Sequence, residues 1–460
     1  MQLIRAGAMV AVIGAALASG LLLSRAHGGG ALPLPVMPAP TARDRILVVA
    51  PHCDDETLGA GGLLFSAVRA GAKIRVVIDT NGDGFHYGAE RLFHEKHVSP
   101  LDYVRMGLDR QRETLAALSD LGVPRRAVSF LGYPDAGTAD MWLTYWDPRH
   151  PYTSPRTLED HSPYPNAFTR YTPYAGRSLL DDLKKIIADF KPTVIICPHP
   201  DDEHPDHWAA YCYTAAALYE LGLLDSVQLR FYIIHRGNWP MPRGLHRREP
   251  LQPPADLSGP NTRWQAFPLD SRMEGVKYQA ILRYGSQLLV MRDFLLGFDR
   301  TNELFGAMHW GRLPVVASGA IKIDGQAGEW GQVAPVILDS PEKRRKVPAA
   351  ADVVDARAAT DGRRIYVQVD LAGPPSADVE YRIWVRALSA SRVGPPQEYV
   401  FRPGGRIEGE ARFSSTALEA ALPIPGTEAP DGVMLAVDTA RDEKRLDGTA
   451  WVLLRVQPQH

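Results

Sequence analysis

The chain has 460 residues, which is too long for one ordinary domain and predicts two domains plus a leader. Hydrophobic residues make up 45% of the chain and charged residues 23%, a composition that is typical of folded globular proteins. The formal net charge of -2 gives no electrostatic reason to expect a nucleic-acid partner. Three cysteines cannot all pair with one another, so no disulfide framework is predicted.

The N-terminal segment predicts export. Arg5 precedes an uncharged apolar run at residues 6–23, and small residues follow at the positions that a signal peptidase reads. The run is also near the minimum length of a membrane-spanning helix, so residues 1–26 are either a signal peptide or a membrane anchor. Residues 27–42, rich in Gly and Pro, are predicted to be a linker. We therefore expect a periplasmic, cell-surface or secreted protein, either free or tethered to a membrane.

After the linker, short apolar runs alternate with helical patterns. Unbroken runs rich in β-branched residues are typical of strands that are buried on both faces of a parallel sheet. The predicted strands are 46–49, 74–78, 128–131, 192–197 and 229–234. The predicted helices are 62–70, 109–121, 179–190, 208–221 and 273–287. The alternation predicts an α/β fold over residues 43–314, a Rossmann-like three-layer sandwich with a mostly parallel sheet.

Two later segments depart from this pattern. Residues 141–176 are dense in aromatic residues and prolines, and they form either a lid or binding loop suited to sugar rings or a satellite core. Residues 315–460 carry short alternating segments between Gly, Pro and Asp clusters, which predicts an all-β sandwich. Its predicted strands are 321–323, 364–370, 379–386, 398–401, 412–413, 433–438 and 451–456.

Two predicted strand ends carry many histidines and aspartates. They are residues 52–55 (His-Cys-Asp-Asp) and 204–207 (His-Pro-Asp-His), and the chemistry of open α/β sheets lies just beyond such strand ends. A catalytic zinc ion takes three N or O ligands and leaves one position for water, which two histidines and one carboxylate satisfy. Adjacent carboxylates can divide the labour, since one binds the metal while the other acts as a general base.

Each motif alone also has a structural interpretation. Residues 52–55 are compatible with a helix N-cap beside a surface charge cluster, and residues 204–207 with a turn. Residues 199–203 (His-Pro-Asp-Asp-Glu) nearly copy the first motif and compete with it for ligand roles. Because both motifs end buried strands of one α/β domain, the sequence favours a metal site.

Together the two motifs resemble the LmbE-like, or PIG-L, family of zinc-dependent N-deacetylases, which act on N-acetylglucosamine-containing substrates. The resemblance extends over residues 45–305. Its supporting motifs are Thr80-x-Gly82-Asp83, Arg110-x-x-Glu113, Gly132-Tyr133-x-Asp135 and the helix at 277–287. One departure is Cys53, where the family usually has proline. Cysteine is a good zinc ligand, but we expect this one to point into the fold.

The resemblance implies a role for each residue of the two motifs. His52, Asp55 and His207 would bind Zn²⁺. Asp54 would be the general base that activates the attacking water. His204 would stabilise the oxyanion or protonate the leaving amine.

Four further residues are predicted to orient these groups or to contact substrate. Asp206 would orient a neighbouring histidine. Asp135, Thr80 and Asp83 are candidates for similar supporting roles. The resemblance also implies that residues 199–203 shape the site without binding the metal.

The C-terminal segment has a resemblance of its own. Residues 321–325 (Ile-Lys-Ile-Asp-Gly), followed by Glu329 and Trp330, resemble the opening of family 9 carbohydrate-binding modules. Residues 364–370 and 418–423 match later strands of that pattern. The alternative is a sandwich that only packs against the enzyme domain, with Trp330 in its core.

These observations predict a zinc-dependent hydrolase that removes the N-acetyl group from an N-acetylglucosamine-type sugar in a glycan or glycoconjugate. One alternative is a metal-dependent amidase that cleaves a larger acyl group, and another is a non-catalytic glycan-binding envelope protein. A two-metal phosphoesterase is disfavoured because too few ligands are present. Zn²⁺ follows from the resemblance, and a site of two His and one Asp also suits iron or cobalt. We expect a carbohydrate partner and predict no protein partner.

Overall fold

The computed structural model describes residues 34–258, 262–339, 347–389, 391–404, 410–424 and 430–456. The predicted leader at 1–26 and the first part of the predicted linker lie outside these residues. Within the described ranges, no helix is long and apolar enough to cross a membrane. Residues 37–44, which precede the first strand, form no helix or strand.

Residues 45–307 form a seven-stranded sheet with helices on both faces. The strands are β1 (Arg45–Ala50), β2 (Lys73–Thr80), β3 (Val128–Tyr133), β4 (Val194–Pro198), β5 (Gln228–Tyr232), β6 (Arg263–Pro268) and β7 (Asn302–Ala307). The helices are α1 (Asp55–Arg69), α2 (His86–Phe93), α3 (Pro100–Asp120), α4 (Thr138–Leu143), α5 (Gly176–Phe190), α6 (Pro205–Glu220), α7 (Ser271–Ile281) and α8 (Gly285–Leu296). The strand order is β3-β2-β1-β4-β5-β7-β6. β1 to β5 pair in parallel, and only β6 and β7 add antiparallel pairs.

The central strand β1 is buried on both faces, as its unbroken apolar run predicts. Leu47 and Val49 belong to one hydrophobic core, with α5 and α6, while Ile46 and Val48 belong to a second core, with α1 and α3. Successive side chains of a strand point to opposite faces, so both cores need apolar residues from the same run. The α/β class and the three-layer arrangement are therefore confirmed.

Helix boundaries differ from the predicted ones. Helix α3 begins nine residues earlier than predicted, at Pro100, because Ser99 and Asp102 form a capping box ahead of it. The single helix predicted at 273–287 is wrong, since α7 and α8 are separate helices. Tyr284 lies at the break and turns inward, where its hydroxyl lies 2.8 Å from Thr57 Oγ1 and also donates to Glu56. The break between α7 and α8 lets the buried Tyr284 hydroxyl form these hydrogen bonds. The hydrophobic periodicity of the sequence does not show it.

Residues 311–456 form two packed β-sheets, as expected for a sandwich. The strands are β8 (Gly311–Leu313), β9 (Pro335–Leu338), β10 (Val353–Thr360), β11 (Arg364–Leu371), β12 (Glu380–Ser389), β13 (Arg392–Val393), β14 (Gln397–Phe401), β15 (Glu410–Phe413), β16 (Ala417–Pro423), β17 (Gly432–Arg441), β18 (Lys444–Gly448) and β19 (Val452–Val456). One sheet has the order β15-β16-β11-β10-β9 and the other β13-β12-β17-β19-β8, with β14 beside β12 and β18 beside β17. β8 precedes the predicted boundary at residue 315, yet it pairs with β19.

The strand predicted at 321–323 is wrong. This segment forms no strand, and Ile321 instead packs with Trp330 and Val333 in a small cluster. Gly325 follows in a turn with a φ of 84°, and its N–H donates to Glu419. Trp330 is only 1% exposed, so it is a core residue.

The α/β domain and the sandwich share one hydrophobic cluster. The core that contains Leu47 and Val49 also contains Leu388, Met434 and Trp451 of the sandwich. Apolar burial of this kind is the main attractive force between packed domains. The described residues between 37 and 456 therefore belong to one compact unit.

Candidate active site

The first motif leaves β1 through a strained turn. Asp54 occupies the N-cap position of α1, but its carboxylate makes no capping hydrogen bond. Its φ is 147°, a value that residues with side chains rarely adopt and that is found preferentially at functional sites. The N-cap interpretation of this motif therefore does not account for the Asp54 carboxylate.

Three buried donor atoms from the two motifs form a triangle. Asp55 Oδ2 lies 3.1 Å from His52 Nδ1 and 3.1 Å from His207 Nε2. The two imidazole nitrogens lie 3.2 Å apart. The strand ends of β1 and β4 thus bring together the three residues predicted to bind the metal.

Carboxylates orient both imidazole rings of the triangle. His52 Nε2 lies 3.1 Å from Asp206 Oδ2 and 3.1 Å from Asp135 Oδ1. His207 Nδ1 lies 3.2 Å from Asp202 Oδ2. Each ring thus lies between Asp55 and an orienting carboxylate, and a metal at the triangle would take the place of the proton that faces Asp55, while the proton beside the orienting carboxylate stays.

The buried contacts of His207 and Asp55 shift the pKa values of both side chains. Burial lowers the pKa of His207, but Asp202 and Asp55 outweigh it and raise the pKa to about 9. Burial raises the pKa of Asp55, but His207 and His52 outweigh it and hold this pKa well below its usual value. Asp55 is therefore an ionised carboxylate, as metal binding requires.

The donor set fits a zinc ion. Ligand atoms around tetrahedral Zn²⁺ lie about 2.0–2.2 Å from the metal and therefore about 3.3 Å from one another. The observed triangle has sides close to this value. In protein zinc sites, the imidazole ligands usually donate their other N–H to a carboxylate, as both rings can here.

Asp54 lies beside a buried arginine of α3. Arg110 Nη2 is 3.5 Å from Asp54 Oδ2, and the guanidinium donates to the carbonyls of Cys53 and Gly82 at 2.9 Å each. Burial raises the pKa of Asp54 to about 7, with Arg110 lowering it and Asp55 raising it. A carboxylate that titrates near neutral pH suits general-base chemistry.

His204 presents a neutral N–H donor next to the triangle. It caps α6, and its Nδ1 accepts a hydrogen bond from the Asp206 N–H at 3.3 Å. Burial and the neighbouring His52 lower the pKa of His204 to about 4. Because Nδ1 is an acceptor, the single proton of the neutral ring is on Nε2. The His204 ring lies 4.6 Å from that of His52, centroid to centroid.

The four predicted supporting residues occupy different positions. Asp206 and Asp135 both reach His52, as described above. Asp83 supports Asp135, because its Oδ1 accepts from the Asp135 N–H at 3.3 Å. Thr80 does not join the cluster, since its hydroxyl accepts from the Gly82 N–H and stabilises a turn.

The near copy of the first motif faces away from the triangle, except for one carboxylate. His199 Nε2 lies 2.7 Å from Thr262 Oγ1, and the ring stacks on Trp264. Asp202 is the exception, since it holds His207. Cys53 is fully buried in the second core, and burial raises the pKa of its thiol. It points into the fold, as expected.

His235 is a site residue that the motifs do not include. Ligand atoms of His235, His207 and Asp55 lie within 4.8 Å of one another, and the His235 ring stacks on Phe294. The Asp202 carboxylate accepts its backbone N–H at 3.0 Å. The sequence feature that could have identified His235 is its position just after the fifth parallel strand, at the edge of the sheet that carries the two motifs.

The aromatic insertion mostly packs on itself and on the protein. Trp142, Tyr164 and Tyr174 are at most 1% exposed, whereas Tyr171 is 79% exposed. Trp142 and Tyr174 belong to the core that contains Leu47 and Val49, so these rings extend the main core and do not form a satellite one. Tyr164 also supports the site, because its hydroxyl donates to Asp83 at 2.6 Å.

Residues 47–218 match the family model described as PIG-L, GlcNAc-PI de-N-acetylase. The chain is 33% identical over 180 residues to 1D-myo-inositol 2-acetamido-2-deoxy-alpha-D-glucopyranoside deacetylase of Mycobacterium sp. (strain KMS), covering 38% of this chain and 50% of that protein. It is 28% identical over 188 residues to the deacetylase of the same name from Corynebacterium glutamicum (strain R), covering 40% and 57%. A solved structure, N,N'-diacetylchitobiose deacetylase from Pyrococcus horikoshii, aligns with 56% of this chain and 77% of its own at 17% identity, with a TM-score of 0.34.

These similarities are confined to part of the molecule. The chain spans about half the length of the curated relatives it matches. The family match runs from β1 into α6 and includes His52, Asp54, Asp55, His204 and His207. His235 and the sandwich lie beyond it. Residues 47–218 are thus similar to the PIG-L de-N-acetylases, in the part of the fold that carries the triangle.

Proposed function

We propose that this chain is a zinc-dependent N-deacetylase that acts on an N-acetylglucosamine-type sugar. The observation that carries the proposal is the buried triangle of His52, Asp55 and His207, with the Asp54 carboxylate beside it. A site that only binds sugar has no need of a base next to a metal triangle. The match of residues 47–218 to a de-N-acetylase family supports the same reaction.

The residues of the chain divide the hydrolysis among them. His52, Asp55 and His207 would hold Zn²⁺, which when bound supplies a Lewis acid that polarises the amide carbonyl and acidifies water. Asp54 accepts the proton of the attacking water, and Arg110 holds its carboxylate in place. His204 donates its Nε2 proton in a hydrogen bond to the developing oxyanion. Asp54 then passes that proton to the leaving nitrogen as the amide C–N bond breaks, which releases acetate and the free amine.

The substrate class rests on the relatives and on the chemistry of the site. The curated relatives named above deacetylate a 2-acetamido-2-deoxy-alpha-D-glucopyranoside of inositol, as their name states. We therefore place the acetamido group on an amino sugar within a glycan or glycoconjugate.

Export and a sugar-binding sandwich belong to the same proposal. The uncharged run at residues 6–23 after Arg5 supports export as a periplasmic, cell-surface or secreted protein. The resemblance of residues 321–330 to family 9 carbohydrate-binding modules supports sugar binding by residues 315–460. Trp330 is buried and does not serve as a stacking platform.

The test is acetate release from a panel of N-acetylglucosamine monosaccharides, oligosaccharides and lipid-linked sugars. Zinc-reconstituted protein is compared with Asp54→Asn and with Asp201→Asn, which changes an aspartate of the near-copy motif. We expect Asp54→Asn to retain zinc and to lose turnover by about 10²–10⁴-fold, because general-base catalysis is typically worth that much. Asp201→Asn should retain activity.

The other outcomes contradict defined parts of the proposal. A fully active, zinc-loaded Asp54→Asn variant would refute the base assignment. Zinc binding without acetate release from any member of the panel would replace the deacetylase with an amidase for larger acyl groups. If the protein does not bind zinc, the enzyme proposal fails and glycan binding takes its place.

A further inference from the structure

A buried arginine connects the sandwich to the α/β domain. Arg386 lies on β12 and is fully buried. Its guanidinium carbon lies 3.8 Å from the ring centroid of Trp142 and 4.0 Å from that of Trp146. The same group donates to the carbonyls of Trp142 and Gly394. Cation–π contacts are strongest where the cation is removed from water, as it is here.

Trp142 fixes the C-terminal end of α4 against the sandwich. The residue is fully buried, and its ring meets Trp451 of the sandwich edge to face at 5.7 Å. On its other side it meets Tyr213 of α6 at 5.0 Å. Tyr213 in turn donates to the Thr138 carbonyl at 3.1 Å. Contacts from the sandwich and from α6 therefore hold α4 together.

The N-terminal end of the same helix holds the carboxylate behind His52. Asp206 Oδ1 accepts from the Thr138 N–H at 3.0 Å and from the Thr138 hydroxyl at 2.6 Å. Asp206 Oδ2 accepts from the Ala136 N–H at 2.7 Å. The same Oδ2 lies 3.1 Å from His52 Nε2. The start of α4 thus sets the position of Asp206, and Asp206 sets the ring of His52.

Helix α4 is too short to keep its own position. It has six residues, well below the length at which an isolated helix is stable in water. Its placement comes from its contacts with α6, through Tyr213 and Asp206, and with the sandwich, through Arg386 and Trp451 at Trp142. Loss of the sandwich contacts at Trp142 therefore shifts the helix whose first residue holds Asp206.

We propose that Arg386 is a positioning residue for the active site, which acts through Trp142, α4 and Asp206 on the metal-binding ring of His52. The sandwich is then an integral part of the metal centre, whether or not it binds sugar. This inference rests on the proposed function, because it assigns a metal ligand to His52.

The test uses the full chain and two variants of the connection. Arg386→Met removes the charge and keeps the stem that packs in the interface. Thr138→Val removes the hydroxyl donor to Asp206 and leaves the interface untouched. Leu453→Ala is the control, because Leu453 is a buried sandwich residue of the same shared cluster and makes none of the contacts described here to α4.

Three measurements separate positioning from general destabilisation. They are zinc affinity by chelator competition, the visible spectrum of the Co²⁺-substituted protein, and kcat and KM for acetate release. We expect Arg386→Met and Thr138→Val to weaken zinc binding by about 10–100-fold, as loss of a group behind a metal ligand typically does. They should also change the Co²⁺ spectrum and lower kcat more than they raise KM. Leu453→Ala should lower the melting temperature and leave affinity and spectrum unchanged.

The failures are distinguishable. If Arg386→Met lowers only the melting temperature, with wild-type zinc affinity and Co²⁺ spectrum, Arg386 is only an interface residue and the inference is overturned. If Arg386→Met does not fold, Thr138→Val decides, and wild-type affinity and spectrum in that variant also overturn the inference. If the wild-type protein binds zinc but releases no acetate, the proposed function fails while the affinity and the spectrum still test the connection.

Discussion

Each histidine of the site has one nitrogen whose protonation is fixed by a neighbour. His52 and His207 donate hydrogen bonds to the carboxylates of Asp206 and Asp202, so a metal would meet the opposite nitrogen of each ring, beside Asp55. His204 is reversed, because the backbone N–H of residue 206 donates to its Nδ1. Two rings are therefore prepared as ligands, and the third as a hydrogen-bond donor.

This difference predicts separate effects for two similar substitutions. His204→Asn should lower kcat by about 10²–10³-fold, the usual cost of one oxyanion donor, and should leave zinc affinity unchanged. His199→Asn is the matched control, since that ring binds Thr262 outside the triangle. The control should lower the melting temperature and keep kcat. Acetate-release kinetics with measured zinc content check both, and equal losses of kcat would contradict the role of His204.

At the level of elements, the sequence predicts the strands and motifs that depend on the local pattern of apolar and polar residues. The parallel strands and the two motifs follow from unbroken apolar runs and from the polar residues after them, because burial on both faces dictates composition. The break at Tyr284 and the early start of α3 depend on one buried hydroxyl and one cap. The support of Asp206 by residues 136 and 138 joins segments far apart in the chain, and spacing within one segment does not reveal it.

The loop after β2 leaves room for the arginine that lies beside the Asp54 carboxylate. Gly82 has a φ of 64°, and a Cβ there would lie 1.7 Å from Arg110 Nη1. The glycine of the Thr80-x-Gly82-Asp83 motif is therefore required for Arg110 to reach Asp54. The loop and α3 together place one positive charge beside the proposed base.

Removing this charge should change the pH dependence. Arg110 lowers the pKa of Asp54, so Arg110→Met should raise that pKa further. The base acts only when deprotonated, and the acid limb of kcat/KM should therefore move to higher pH, by about one unit or more. The pH profile of acetate release measures it.

The control for this prediction lies on the same helix. Arg112 is an exposed arginine that pairs with Asp109, and Arg112→Met should leave the acid limb in place. A shift of equal size in both variants would mean that overall charge, not the contact with Asp54, sets the profile.

At the level of the whole molecule, the shared core determines how the protein unfolds. The cluster that joins β1 to Trp451 gives the α/β domain and the sandwich a common set of apolar contacts. Two units coupled by a well-packed interface unfold together when the interface free energy is a large part of the stability of either unit.

We therefore expect one calorimetric transition for the wild-type protein and two for Trp451→Ala. Truncating a buried Trp costs about 3–5 kcal/mol, and here that loss falls on the contact between the units. Trp330→Ala is the matched control, because Trp330 is equally buried but packs within the sandwich. It should lower the melting temperature and keep a single transition. Two transitions in the wild-type protein would show that the units unfold independently, and the sandwich would then be too loosely coupled to hold α4 as the position of Arg386 requires.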